Sequence, residues 1–237
     1  MPYLAASTWV EVAAQQDPVL VIPVGSCEQH GPHLPFDTDT VIGEALVASI
    51  ANLRPNVFVG PTITISASGE HAGFPGTLSF GTEATAEALI ELVRSADWAL
   101  GVMFVNAHGG NSDALTEVVI AASMEGHNVL VWSPSAPDDE RSDSHAGWLE
   151  TSLMLHLDAS RVRLDRLEAG ETRPLHDIMD ELVENGVQSV SPNGVLGDPA
   201  GATAEHGRAV LQRWTGDLVD RVETWLERLA HLDRRDD

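Results

Sequence analysis

"PVLVIPVGSCEQHGPHLPFDTD", residues 18–39, decides the fold. Its first seven residues carry no polar side chain and are rich in β-branched types. So short an apolar run reads as a strand buried on both faces. The next fifteen residues hold one glutamate, two histidines and two aspartates. In open α/β sheets, ligands collect beyond the carboxyl ends of the strands. The junction therefore predicts a parallel sheet with chemistry along its C-terminal edge. The plainer alternative is a polar surface loop.

Three more runs match the first: 57–65 "VFVGPTITI", 100–105 "LGVMFV" and 129–133 "VLVWS". Segments 40–53, 83–98 and 112–125 repeat apolar residues at three- and four-residue steps and predict helices between the strands. A Pro/Asp/Ser-rich loop at 133–144 precedes a helix starting near His145. A short helix over 175–185, a Gly/Pro/Asn-rich loop at 191–202 and an amphipathic helix over 203–231 follow. This order predicts a three-layer α/β/α fold with a mainly parallel central sheet, as one domain over residues 1–237.

The formal charge is −23, and all thirteen basic residues are arginines. Such a chain repels phosphate backbones and anionic lipid, which argues against nucleic-acid and membrane partners. No stretch approaches a membrane span, and no secretory signal pattern is seen. One cysteine, Cys27, precludes an intrachain disulfide. The expectation is a cytoplasmic protein.

Polar clusters follow three strands. They are the opening stretch, "NAHGGNSD" at 106–113 and "DSHAGWLETS" at 143–152. Each has a bland reading. Asp37 or Asp39 would cap the helix beginning near Thr40, Asn111 would cap the next, and Glu150 would lie on a solvated face. Taken together, Glu28, His30, Asp39, His108 and Glu150 form a mixed imidazole and carboxylate set. That set suits Zn²⁺, Fe²⁺ or Mn²⁺, and the lack of thiolates argues against a structural zinc. Five ligands suit two metal ions sharing one carboxylate. A rival reading takes Cys27 as a nucleophile with His30 as its base, which leaves the ligand-type residues unused.

These motifs, with "HAGWLETSLML" at 145–155, resemble the creatininase family of dinuclear metal amidohydrolases. The resemblance spans about residues 18–230. The chain departs from the family's usual wording at Cys27 and Ala107, neither a ligand position. The resemblance implies two divalent ions (Zn and/or Fe, with Mn fitting too) on Glu28, His30, Asp39, His108 and Glu150, with Asp39 bridging. It implies His145 as the proton shuttle. Glu70, His71 and His33 are the candidate substrate-binding residues.

"GEHAGFPGTLSFG" at 69–81 and "VSPNGVLGDPAGATAEHG" at 190–207 resemble the peptidase branch of that family serving mycofactocin biosynthesis. The implied substrate is a modified precursor peptide, cleaved to release a unit derived from its C-terminal Val-Tyr pair. The alternatives are a cyclic amidohydrolase acting on a small lactam or formamide, and a non-catalytic peptide-binding module. The family resemblance also implies a homo-oligomer, a hexamer by analogy with creatininase, with an octamer or dimer left open. Trp132 and Trp148 are the candidate interface anchors. The stripe Val210, Leu211, Trp214, Leu218, Val222, Trp225, Leu226 and Leu229 is expected to cover the sheet.

Overall fold

The structure is a computed structural model that describes residues 3–51, 53–135 and 143–233. The centre of the 133–144 loop, residues 136–142, lies outside the described residues. Four parallel strands, β1 (Val19–Val24), β2 (Val57–Val59), β3 (Gly101–Asn106) and β4 (Val129–Trp132), form a sheet in the order β2-β1-β3-β4. Eight helices accompany them among the described residues: α1 (Trp9–Ala13), α2 (Thr38–Ile50), α3 (Thr82–Ser95), α4 (Ser112–Glu125), α5 (Trp148–Asp158), α6 (Leu175–Asn185), α7 (Val187–Val190) and α8 (Ala204–Asp233).

The two-residue period of the strands divides the core. Val19, Val21, Val57, Val59, Met103 and Val105 face α2, α5 and α8. Leu20, Ile22, Val24, Phe58, Val102 and Phe104 face α3 and α4. Burial on both faces explains why the strands read as continuous apolar runs. Each fully buried Val, Leu or Ile contributes about 1.5–3 kcal/mol. The result is the expected three-layer α/β/α arrangement.

The stripe on α8 packs into the sheet-covering core, as its spacing predicts. Trp132 belongs to the same core, and its indole N–H donates to Asp217 Oδ2 at 2.7 Å. Trp148 donates to the Gly201 carbonyl at 3.0 Å and stacks on His206. Both tryptophans are thus engaged within the chain. Trp132 is covered by α8, whereas Trp148 stays half-buried beside the 191–202 loop.

Two boundaries and two caps differ from expectation. β2 ends at Val59, not near residue 65: Gly60 N–H still donates to the Val21 carbonyl, but the next bond to β1 comes from Ile63, three residues on, to the Pro23 carbonyl, so the ladder slips by one residue there. α5 begins at Trp148, not near His145. The His145 backbone is committed to Leu196, with bonds of 3.2 and 2.8 Å, and Ala146 takes a positive φ of 53°. Neither Asp37 nor Asn111 makes a side-chain cap. Asp37 instead pairs with Arg161.

Gly25 fixes where the metal-liking loop starts. A Cβ there would lie 2.6 Å from the Thr40 Cα and N, so only glycine lets β1 end against the first turn of α2. That approach brings Asp39 to the strand end. We predict that Gly25→Ala lowers the melting temperature and zinc binding together. Gly216→Ala, in open space on α8, should raise stability by about 0.5–1 kcal/mol. Thermal unfolding of both variants checks this; an unshifted melt for Gly25→Ala contradicts it.

Candidate metal centre

Glu28 and His30 leave the end of β1, Asp39 sits in the first turn of α2, and His108 follows β3. Glu150 lies in the first turn of α5. His145 precedes that helix, and Glu70 and His71 occupy a 3₁₀ turn at Gly69–His71. The parallel strands deliver these segments to one edge of the sheet.

Asp39 stands at the middle. Its Oδ1 lies 3.2 Å from His30 Nε2, and its Oδ2 lies 3.3 Å from His108 Nδ1. Each histidine turns its other nitrogen to a carbonyl. His30 Nδ1 is 3.1 Å from Glu28 O, and His108 Nε2 is 2.8 Å from Ala67 O. A carbonyl oxygen only accepts, so those nitrogens carry hydrogens. In neutral rings, His30 Nε2 and His108 Nδ1 therefore present lone pairs toward opposite oxygens of one carboxylate. A carbonyl behind each imidazole is the usual support of a metal-ligating histidine. The Ser26 hydroxyl holds Asp39 Oδ2 at 2.6 Å.

Glu28 is fully buried, and neither of its carboxylate oxygens accepts a hydrogen bond. Its neighbours are His108 Nε2 at 3.1 Å, His71 Nε2 at 3.4 Å and His145 Nδ1 at 3.6 Å. Burying a charge without hydrogen bonds costs several kcal/mol, and a bound cation offsets that cost. Ligand atoms converge within 4.8 Å in three groups: Glu28, Asp39 and His108; His30, His145 and Glu150; Glu28, His71 and His145. The donors are oxygen and imidazole nitrogen throughout, which fits Zn²⁺, Fe²⁺ or Mn²⁺.

The sequence profile described as "Creatininase: Creatinine amidohydrolase" matches residues 5–222. The chain belongs to the creatininase family. It is therefore a hydrolase. The "Mycofactocin precursor peptide peptidase" of Mycolicibacterium smegmatis is 43% identical over 215 residues, covering 88% of this chain and 85% of that protein. That of Mycobacterium tuberculosis strain H37Rv is 44% identical over 219 residues, covering 88% and 86%. A mutant creatininase complexed with creatine superposes with a TM-score of 0.80 at 25% identity, covering 94% of this chain and 98% of that one. Creatininase has also been solved in a form described as "Creatininase Mn", with a TM-score of 0.76, 25% identity and coverage of 94% and 97%.

In this creatininase-family chain the buried charges balance within the cluster. Burial alone pushes His30 toward neutrality, but Asp39, Glu150 and Glu28 override it and hold its pKa up at about 10. Burial opposes the charge on His108 as well, yet Glu28, Asp39 and Glu70 keep it protonated well above the usual range. Burial would raise Glu28, but His108 and His71 draw it down to about 2. The remaining histidines are pushed the other way. Burial takes His71 down to about 3. Burial and His30 lower His145.

All five sequence-selected ligand candidates converge, with His145 and His71 among them. Glu70 stands at the rim. Its side chain is one-third exposed, with Oε1 3.5 Å from His108 Nε2. His33 is set apart: it is fully buried, and its Nε2 meets the Thr151 hydroxyl at 2.8 Å. Asp37 also lies outside the cluster.

The motif reading missed the asparagines. Asn111 accepts from Ala67 N–H at 3.1 Å and donates to Asn106 Oδ1 at 3.1 Å. Asn106 in turn donates to the His108 carbonyl at 2.8 Å. Together they tie the loop carrying His108 to the loop before Glu70. The signal was the second asparagine in "NAHGGN", which the capping reading absorbed.

A cation entering this site must displace the protons held on His30 and His108. Below pH 10 the His30 proton competes, so the affinity for Zn²⁺ should rise with pH between 6 and 8. About one to two protons should be released per chain. Titration calorimetry in buffers of different ionisation heat measures both. A pH-independent affinity with no proton release contradicts the arrangement.

Proposed function

We propose that this chain is a dinuclear metal-dependent peptidase that hydrolyses an amide bond in a modified precursor peptide during mycofactocin biosynthesis. It would release the unit derived from the peptide's C-terminal Val-Tyr pair. The observation that carries the substrate is the 43% identity to a mycofactocin precursor peptide peptidase across 88% of this chain. The placement of Asp39 between His30 and His108 supports the dinuclear centre.

Glu28, Asp39 and His108 would hold one divalent cation, and His30, Asp39 and Glu150 the other. Bound there, the cations lower the pKa of water toward ~7 and polarise the scissile carbonyl. The chain's own residues do the rest. Asp39 sets the spacing of the two halves. The Ala146 N–H, donating to Glu150 Oε2 at 2.6 Å, fixes that carboxylate. His145 is anchored through Nε2 to the Gln29 carbonyl at 2.7 Å, which leaves Nδ1 facing the centre. Nδ1 takes the proton from the attacking water and delivers it to the leaving nitrogen as the carbon–nitrogen bond breaks. The partly exposed Glu70 and Glu150 mark the side from which a peptide would enter.

Two outcomes follow. Asp39→Ala should lose more bound metal per chain than Asp37→Ala, because Asp37 pairs with Arg161; equal loss contradicts the bridging role. His145→Ala should keep its metals and lose turnover by about 10²–10⁴-fold. The assay is mass spectrometry of the modified precursor peptide incubated with zinc- or iron-loaded enzyme. Release of the C-terminal unit, abolished by chelation, is expected. An uncleaved peptide with a fully loaded enzyme would overturn the substrate assignment.

A further inference from the structure

Gln29 is almost fully buried between Glu28 and His30. Its side-chain amide can be oriented from the backbone groups it meets. Oε1 lies 2.8 Å from the Gly31 nitrogen, which only donates. Nε2 lies 3.0 Å from the Gly194 carbonyl, which only accepts. One hydrogen of the amide is thereby assigned, and one remains.

Two ring nitrogens compete for it: His71 Nδ1 at 2.9 Å and His145 Nε2 at 3.2 Å. The Gln29 backbone decides between them. His145 Nε2 lies 2.7 Å from the Gln29 carbonyl, so it must carry a hydrogen and cannot accept one. The second amide hydrogen goes to His71 Nδ1. A neutral His71 then bears its hydrogen on Nε2, the atom 3.4 Å from Glu28 Oε1 and 3.9 Å from Glu70 Oε1. A neutral His145 has its lone pair on Nδ1, 3.6 Å from Glu28 Oε1.

We propose that Gln29 is a positioning residue that sets His71 and His145 in opposite patterns: His71 as an N–H donor into the centre, and His145 as a bare nitrogen. This rests on the hydrolase reading above and deepens it. His71 has no lone pair left for a cation, so the Glu28, His71 and His145 group is not a third metal site. Its N–H instead lies beside Glu28, at 3.4 Å from Oε1, and stands ready for the negative charge that develops on a substrate oxygen. Gly194 completes the device, since a Cβ there would lie 1.9 Å from Gln29 Oε1.

The test is nitrogen magnetic resonance on zinc-loaded protein labelled with [¹⁵N]histidine, with signals assigned by His71→Asn and His145→Asn. The expected result is a hydrogen on Nε2 and none on Nδ1 in both rings, with His71 free of metal. A hydrogen on His71 Nδ1, or zinc bound to His71, would overturn the proposal. Gln29→Met should in addition keep its zinc yet lose about 10–100-fold in kcat; unchanged kcat, or a loss that tracks zinc content, would also overturn it. The ring hydrogens are read without turnover. A protein with the expected pattern that cleaves no peptide would therefore refute the substrate reading alone.

Discussion

A buried carboxylate with no hydrogen-bond partner organises this molecule. Glu28 lies at the C-terminal edge of the sheet, with both oxygens shielded from water and unsatisfied by any donor. A fold tolerates such a group only where positive charge is delivered to it. Here that charge arrives on His108, which follows β3, and on His30, which follows β1. The parallel sheet is what makes their convergence possible, because every strand exits on the same side.

The local chemistry follows from that demand. Around Glu28 and Asp39 the histidines fall into two classes. His30 and His108 are drawn toward the charged form by the carboxylates, whereas His71 and His145 are pressed toward neutrality by burial and by their charged neighbours. One pair has the electrostatics of cation sites. The other pair keeps neutral rings beside them, suited to donating and accepting hydrogens. Backbone carbonyls of Glu28, Ala67 and Gln29 make this division geometric as well as electrostatic.

Much of this was legible in the sequence. The run 19–24 has no polar residue, which only a strand covered on both faces allows, and it lies at the heart of the sheet. The five ligand candidates could be named from side-chain chemistry and from where their segments leave the strands. Less legible were features that depend on a contact distant in sequence. His145 reads as the start of a helix until Leu196 claims its backbone. Asn111 reads as a cap until Ala67 and Asn106 take its amide. Trp132 reads as an aromatic flanking the Pro-rich loop until α8 covers it. His33 sits in the same motif as His30, yet the turn at Gly31 sends it toward Thr151 of α5 instead of toward Asp39.

The proposed centre needs Asp39 to join two cation positions, one on the Glu28 and His108 side and one on the His30 and Glu150 side. Crystallography of the zinc-loaded protein, with anomalous data on both sides of the zinc edge, tests this most directly. Two anomalous peaks per chain are expected, with the Asp39 carboxylate between them, one oxygen toward each. A single peak, or two peaks of which either lies beyond reach of Asp39, would contradict it.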